Sequence, residues 1–287
     1  MEASELIKKV RKIEIKTRGL SKHLFAGEYH SAFKGKGMTF SEVREYQYGE
    51  SIRDIDWNVT ARFNAPFVKI YEEERELTVM LIIDMSASKI FGTTEQLKQD
   101  LITEIAAVLS FSAMLNNDKI GVIFFSDTIE KFIPPQKGRT HILRIIRELI
   151  EFKPEHKETN IGEALGYFTN VIKKKCTAFL ISDFIDTGYE DSIKIANKKH
   201  DVIALKVYDE RETKLPPIGL VKMKDAETGE QLWVDTSSKK VRANYEKWWS
   251  DMNLKQREIF SKAGVDAASV RTDEDYVKPL MKLFKKR

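Results

Sequence analysis

Three short stretches of this sequence carry oxygen ligands in an order suited to holding a hard cation. The string DMSAS places Asp84, Ser86 and Ser88 at alternate positions directly after the apolar run LTVMLII. Alternate residues of an extended turn can aim at a common point, so one carboxylate and two hydroxyls converge there. Thr159 in KETNIGEAL and Asp183 in LISDFID stand at two later junctions and complete an oxygen-only set with two acidic members. Taken singly, each has a plainer explanation: Asp84 could cap the helix after it, and Thr159 could be the N-cap of a helix starting near Ile161. The weight lies in all three occurring in the right order and at the ends of the right elements, Asp84 and Asp183 where buried strands end and Thr159 just before a helix.

Those residues need a scaffold that brings three loops to one place, and the hydrophobic pattern supplies it. Apolar, β-branched runs at 77–84, 119–126, 129–133, 176–182 and 202–208 read as strands, and their near-continuous apolarity indicates burial on both faces. Between them Leu97, Leu101, Ile105 and Leu109 draw one helical stripe. Ile142, Ile145, Ile146 and Leu149 draw a second, and Ile161, Leu165, Phe168 and Ile172 a third. The rhythm predicts an α/β fold with a doubly wound, mostly parallel sheet. The short FSDT step predicts one antiparallel edge strand. In such sheets ligands bind beyond the carboxyl ends of the strands, where Asp84 and Asp183 both fall. Residues 210–236 interrupt the rhythm as a hairpin insertion with Gly229 in its turn. A long helix follows with Val241, Tyr245, Trp248 and Met252 on one side. A strand at 267–270 and a last helix with Val277, Leu280, Met281 and Phe284 on one side complete the sheet. The α/β domain is thus expected over 77–287, with 1–76 as a distinct N-terminal segment packed on it.

Composition narrows the function. Lys and Arg number 48 against 44 Asp and Glu, a net charge of +4, too balanced for binding nucleic acid mainly through phosphates. The single Cys176 allows no internal disulfide, and one Cys with five His assembles no zinc pattern. Cys176 opens a buried strand with no His near it in sequence, so packing is the expected role. No apolar run reaches the ~20 residues of a membrane helix and the N-terminus lacks an apolar signal core, so a cytoplasmic chain is expected. The G-x-G of Gly35 and Gly37 lacks a third glycine and no phosphate-binding loop string exists, which argues against ATP binding. The basic stretch 8–22 reads as a solvated amphipathic helix, with an anionic membrane or nucleic-acid surface as the alternative.

Asp84, Ser86, Ser88, Thr159 and Asp183 together resemble the metal-ion-dependent adhesion site of the von Willebrand factor A family. That likeness implies Mg²⁺, with Mn²⁺ or Ca²⁺ as alternatives. It further implies direct coordination by the hydroxyls of Ser86, Ser88 and Thr159 and water-mediated roles for Asp84 and Asp183. Many family members carry Thr-Asp-Gly at the third loop; here Ser182, Asp183 and Phe184 stand there, so a bulky side chain is expected to alter access. Upstream, Arg44, Tyr46, Gly49, Glu50, Arg53, Asp56, Trp57, Ala61 and Arg62 are spaced as in the bacterial family called "domain of unknown function fifty-eight". Its members join such a segment to a von Willebrand A-like domain. The resemblance implies a non-enzymatic adaptor or co-chaperone working with a MoxR-type AAA+ ATPase and with membrane-anchored von Willebrand A proteins, peripheral at the membrane through those partners. It assigns no role to the upstream residues. An aromatic, ion-paired plug fastening the segment to the α/β domain is the expectation, with a partner-binding surface as the alternative. The competing enzymatic reading is a Mg²⁺-dependent phosphohydrolase of haloacid dehalogenase-like layout, built on Asp84 with Asp183 and Asp186. It needs an acid two residues after the nucleophile, where this chain has Ser86.

Overall fold

The computed structural model describes residues 39–52, 55–63, 65–72, 77–90, 97–225, 227 and 229–287. The basic stretch 8–22, Gly35, Gly37 and Arg53 lie outside them. Two compact units are present, one ending at Leu77 and one running from Thr78 to Arg287.

In the smaller unit β1 (Thr39–Glu45) pairs antiparallel with β2 (Phe67–Glu72), and the register shifts at a bulge between Phe40 and Glu42. The chain between them forms α1 (Trp57–Phe63). Asp56 starts this helix as its cap, its Oδ1 accepting the Asn58 and Val59 N–H groups at 3.0 and 3.3 Å.

The larger unit begins with β3 (Thr78–Asp84), a 3-10 turn (Ala87–Ile90), α2 (Lys98–Leu115), β4 (Lys119–Phe125), β5 (Ile129–Gln136) and α3 (Arg139–Glu151). It continues through α4 (Ile161–Val171), β6 (Thr177–Ser182), α5 (Glu190–Lys199), β7 (Asp201–Tyr208), α6 (Glu210–Thr213) and the hairpin β8 (Leu220–Lys224) and β9 (Gln231–Asp235). It ends with α7 (Lys239–Ala263), β10 (Asp266–Arg271) and α8 (Val277–Lys285). Six strands form one sheet in the order β10-β7-β6-β3-β4-β5, parallel throughout except for the antiparallel β4–β5 edge. This is the expected doubly wound α/β class.

Central β6 is buried at every position and β3 at all but its first residue, because helices cover both faces. Met80, Ile82, Ala178 and Leu180 pack on Ile161, Leu165 and Phe168 of α4, Ile193 of α5 and Phe260 of α7. Phe179, between Ala178 and Leu180 and so on the opposite face, meets Phe284 of α8 with ring centroids 6.1 Å apart. Each such buried Met, Ile, Leu or Phe side chain contributes roughly 1.5–3 kcal/mol.

The structure corrects several element readings. β5 runs on to Gln136 through Pro134 and Pro135, which an edge strand tolerates because its outer side needs no ladder donor. Leu97 precedes α2 and is exposed. The buried face of α7 is set by Trp249, Gln256 and Phe260, so the stripe is rotated from the one drawn through Trp248, which is half exposed. In α8 Leu283 is buried together with Leu280 and Phe284.

Candidate metal centre

β3 and β6 lie side by side in parallel with Ile83 opposite Ile181, so Asp84 and the Ser182–Asp183 step emerge at the same end of the sheet. Asp84 Oδ1 accepts the Ser86 N–H at 2.9 Å and Oδ2 accepts the Ser182 hydroxyl at 2.7 Å. Two further backbone bonds hold the loop: Met85 N–H to the Phe125 carbonyl at 2.7 Å and Ala87 N–H to the Lys157 carbonyl at 3.0 Å. These bonds leave the Ser86 and Ser88 hydroxyl oxygens 3.1 Å apart, and Ser88 also hydrogen-bonds Asp183. Asp183 Oδ1 accepts the Ile185 N–H at 3.2 Å, while its Oδ2 takes the ammonium of Lys98 at 3.1 Å. Asp84, Ser86, Ser88 and Asp183 are therefore linked by direct contacts.

Thr159 is hydrogen-bonded not to this group but to a residue that sequence reasoning missed. Its hydroxyl donates to Glu227 Oε1 at 2.8 Å, and Glu227 stands in the turn of the β8–β9 hairpin. Thr159 is not the cap of α4; Asn160 is, its Oδ1 accepting the Glu163 N–H at 2.9 Å. The Asn160 N–H bonds the Ser126 carbonyl and the Ile161 N–H bonds Asp186 Oδ2, which ties this loop to the ends of β4 and β6. Beside Thr159 and Glu227 opens a cleft of about 670 Å³, bordered also by Asp186, Trp248, Lys255 and Ile259.

Phe184 does not obstruct the site. Its backbone takes the left-handed conformation, φ +59°, which glycine would adopt without strain. The ring turns inward, fully buried, edge-on to Phe260 with centroids 5.0 Å apart. Its N–H donates to Ser182 Oγ at 3.0 Å and its carbonyl accepts from Gln256 Nε2 at 2.7 Å, so α7 braces the loop.

Electrostatically the site is short of positive charge. Burial, together with the Asp183 charge, pushes the Asp84 carboxyl up to about 6 despite its bonds from Ser182 and Ser86. Among the described residues no cation pairs with it. Glu227 is pushed up to about 7 by burial and by the charges of Asp183 and Asp84, against the bond from Thr159. Asp183 goes the other way: burial opposes ionisation, but Lys98 holds it below the usual carboxylate range. Lys98 is itself buried and stays charged because Asp183 and Glu212 both bind it. A second buried amine, Lys206, lies 4.8 Å over the Trp249 ring with Asn253 and Gln256 as acceptors, and burial lowers it to about 8.

The donor set fits a small hard cation. Among the described residues no three His, Cys, Asp or Glu side chains form a cage; the set is two carboxylates and three hydroxyls. Both oxygens of Asp84 and of Asp183 are engaged by protein donors, which suits roles through water. The Ser86 and Ser88 oxygens sit close to the ~3 Å spacing of neighbouring ligands on an octahedron of ~2.1 Å bonds.

The upstream residues divide into two groups. Arg44 forms a two-pronged ion pair with Glu50, whose Oε2 also accepts the Gln47 N–H at 2.9 Å, and the Tyr46 hydroxyl donates to the Glu50 carbonyl at 3.2 Å. Gly49 lies in the same turn, and Asp56 caps α1 with Lys69 at 3.5 Å. These ion pairs close within the small unit. Trp57, 65% exposed, and Arg62 and Ala61, also exposed, bury little surface.

Cys176 has a histidine neighbour after all, His200, with Sγ and Nδ1 3.4 Å apart across 24 residues of sequence. Both are buried, and burial pushes the thiol up to about 12, so the pair does not generate a thiolate.

A six-stranded, doubly wound sheet, parallel but for one antiparallel edge strand, gives the chain a von Willebrand A-like α/β fold. The chain belongs to the family described as "Protein of unknown function DUF58", whose model matches residues 42–254. An uncharacterized protein of Mycobacterium tuberculosis H37Rv is 26% identical over 283 residues, covering 97% of this chain and 88% of the relative. Among solved structures, the conserved hypothetical protein BatB from Bacteroides thetaiotaomicron matches with a TM-score of 0.50 and 17% identity, over 73% of this chain and 98% of that one. An aerotolerance-related membrane protein from Bacteroides fragilis matches with a TM-score of 0.51 and 16% identity, over 73% and 97%. At such identities the likeness concerns the fold. No described helix is long and apolar enough to cross a membrane.

Proposed function

We propose that this protein is a Mg²⁺-dependent, non-enzymatic interaction module, an adaptor that meets a carboxylate of a partner protein at the end of β3 and β6. The observation that carries this reading is the contact group of Asp84, Ser86, Ser88 and Asp183, in which a buried carboxylate has no cation partner among the described residues. Ser86, Ser88 and Thr159 would hold the ion through their hydroxyls, and Asp84 and Asp183 would orient its waters. An ion with few directly bound carboxylates stays electrophilic and offers a coordination position to an acidic side chain. Lys98 holds Asp183 ionised, and the Ser182 and Ser86 bonds fix Asp84. Gln256 keeps the Phe184 loop in place. Partners of the MoxR AAA+ type and von Willebrand A proteins at a membrane are the adaptor's expected company, by family resemblance and in keeping with the membrane protein of like fold. Against a phosphohydrolase, Asp84 is buried with both oxygens engaged, and Ser86 cannot act as the general acid.

The test is retention from a lysate of the source organism on the immobilised protein, in Mg²⁺ and in EDTA, with the Asp84→Ala variant alongside. A AAA+ ATPase or a von Willebrand A protein held only by the wild type in Mg²⁺ is expected. Equal retention in EDTA or by Asp84→Ala would refute the metal bridge.

A further inference from the structure

The β8–β9 hairpin is built to deliver one carboxylate to the site. Its ladder closes at the Lys224–Gln231 pair, and the turn beyond is fixed by Asp225 N–H to the Glu230 carbonyl at 2.8 Å and Gly229 N–H to the Asp225 carbonyl at 3.1 Å. Gly229, at φ +75°, supplies the left-handed step that this turn requires. Asp225 Oδ1 accepts the Glu227 N–H at 2.9 Å, which sets the direction in which Glu227 leaves the turn. Glu227 then lies against Thr159, 2.8 Å from its hydroxyl and within electrostatic reach of Asp84 and Asp183. Thr159 lies in the loop that the Ala87 N–H to Lys157 carbonyl bond ties to the D-x-S-x-S turn, so this carboxylate stands beside the predicted ligands.

The body of the hairpin is weakly held. Leu220, Leu232 and Trp233 are each more than 60% exposed, and the base is pinned by buried Thr236, whose hydroxyl donates to the Gly219 carbonyl at 2.7 Å. An element with few buried apolar contacts can open at low cost while the sheet beneath stays folded.

We infer that Glu227 serves the metal site in cis, occupying the position where a partner's carboxylate would bind, so that the hairpin must lift away before the site can be shared. This rests on the cation reading above. It makes Glu227 a further ligand and the hairpin the element that sets the threshold for an acidic partner.

The experiment uses Mn²⁺ as probe and reads the water-proton relaxivity of the bound ion, then titrates acetate as a free carboxylate. Wild type, Glu227→Ala, Glu227→Gln and Asp84→Ala are compared. With Glu227 as ligand, bound Mn²⁺ has clearly higher relaxivity in Glu227→Ala, because water takes the vacated place, and acetate competes at concentrations at least tenfold lower than in wild type. Glu227→Gln retains an acceptor for Thr159 but lacks the charge, so it should behave like Glu227→Ala. Wild-type relaxivity and acetate midpoints in both Glu227 variants, or in Glu227→Gln alone, would overturn the cis-ligand role while leaving the metal site standing. Failure of the wild type to bind Mn²⁺, or equal binding by Asp84→Ala, would overturn the metal site and this inference together.

Discussion

Phe184 illustrates how a single residue is held against its own preference. The left-handed backbone at φ +59° costs a non-glycine residue about 1–2 kcal/mol, whereas burying its ring against Phe260 and Tyr189 recovers more. Phe184→Gly should therefore relieve the strain and still lose about 1–4 kcal/mol of stability, since truncating a buried Phe costs about 3–5. Denaturant unfolding of the two proteins checks this; a glycine variant as stable as wild type would mean that strain dominates. Asp84 and Lys98 show the same principle with charge. Lys98 is compensated by Asp183 and Glu212, whereas Asp84 has hydrogen bonds and no cation among the described residues. The imbalance falls at the tip of β3, where the D-x-S-x-S string had placed the ligands.

At the scale of elements, α5 and β6 are joined by a titratable contact. His200 follows the last turn of α5, tilts against Phe168 with ring centroids 4.4 Å apart and meets Cys176 just before β6, with its Nε2 unpartnered among the described residues. Burial, with a smaller contribution from Lys199, lowers its pKa below the ordinary 6.5. The unfolded chain takes up that proton first, so stability is full above about pH 6.5 and falls as pH drops toward the folded value. Melting temperatures at pH 7.5 and 5.5 should show a shallower acid loss in His200→Phe than in wild type; parallel losses would remove His200 from the account. His200 also marks where the sequence stops being informative. The strands were legible because burial on both faces leaves continuous apolar runs, and the meeting of Asp84, Ser86, Ser88 and Asp183 because the ends of neighbouring parallel strands emerge together. Partners remote in sequence left no local trace: Cys176 with His200, Lys98 with Asp183 and Glu212, Thr159 with Glu227 and Phe184 with Gln256. The rotation of α7 onto Trp249 was missed for a related reason, since adjacent tryptophans give two equally apolar stripes and the fold chooses between them.

For the whole molecule, the family match over residues 42–254 and the fold likeness to two Bacteroides proteins concern the frame, whereas the proposed function rests on what the frame holds at one end of its sheet. That end gathers groups from β3, β6, the loop before α4 and the β8–β9 hairpin, braced by α2 and α7. The arrangement makes sense if a divalent ion completes it. The most direct test is calorimetric titration of Mg²⁺ into EDTA-stripped wild-type protein and into Asp84→Asn. The account predicts saturable binding at a single site in the wild type and none in the variant, with both proteins folded. No binding by the wild type, or the same isotherm in Asp84→Asn, would contradict it.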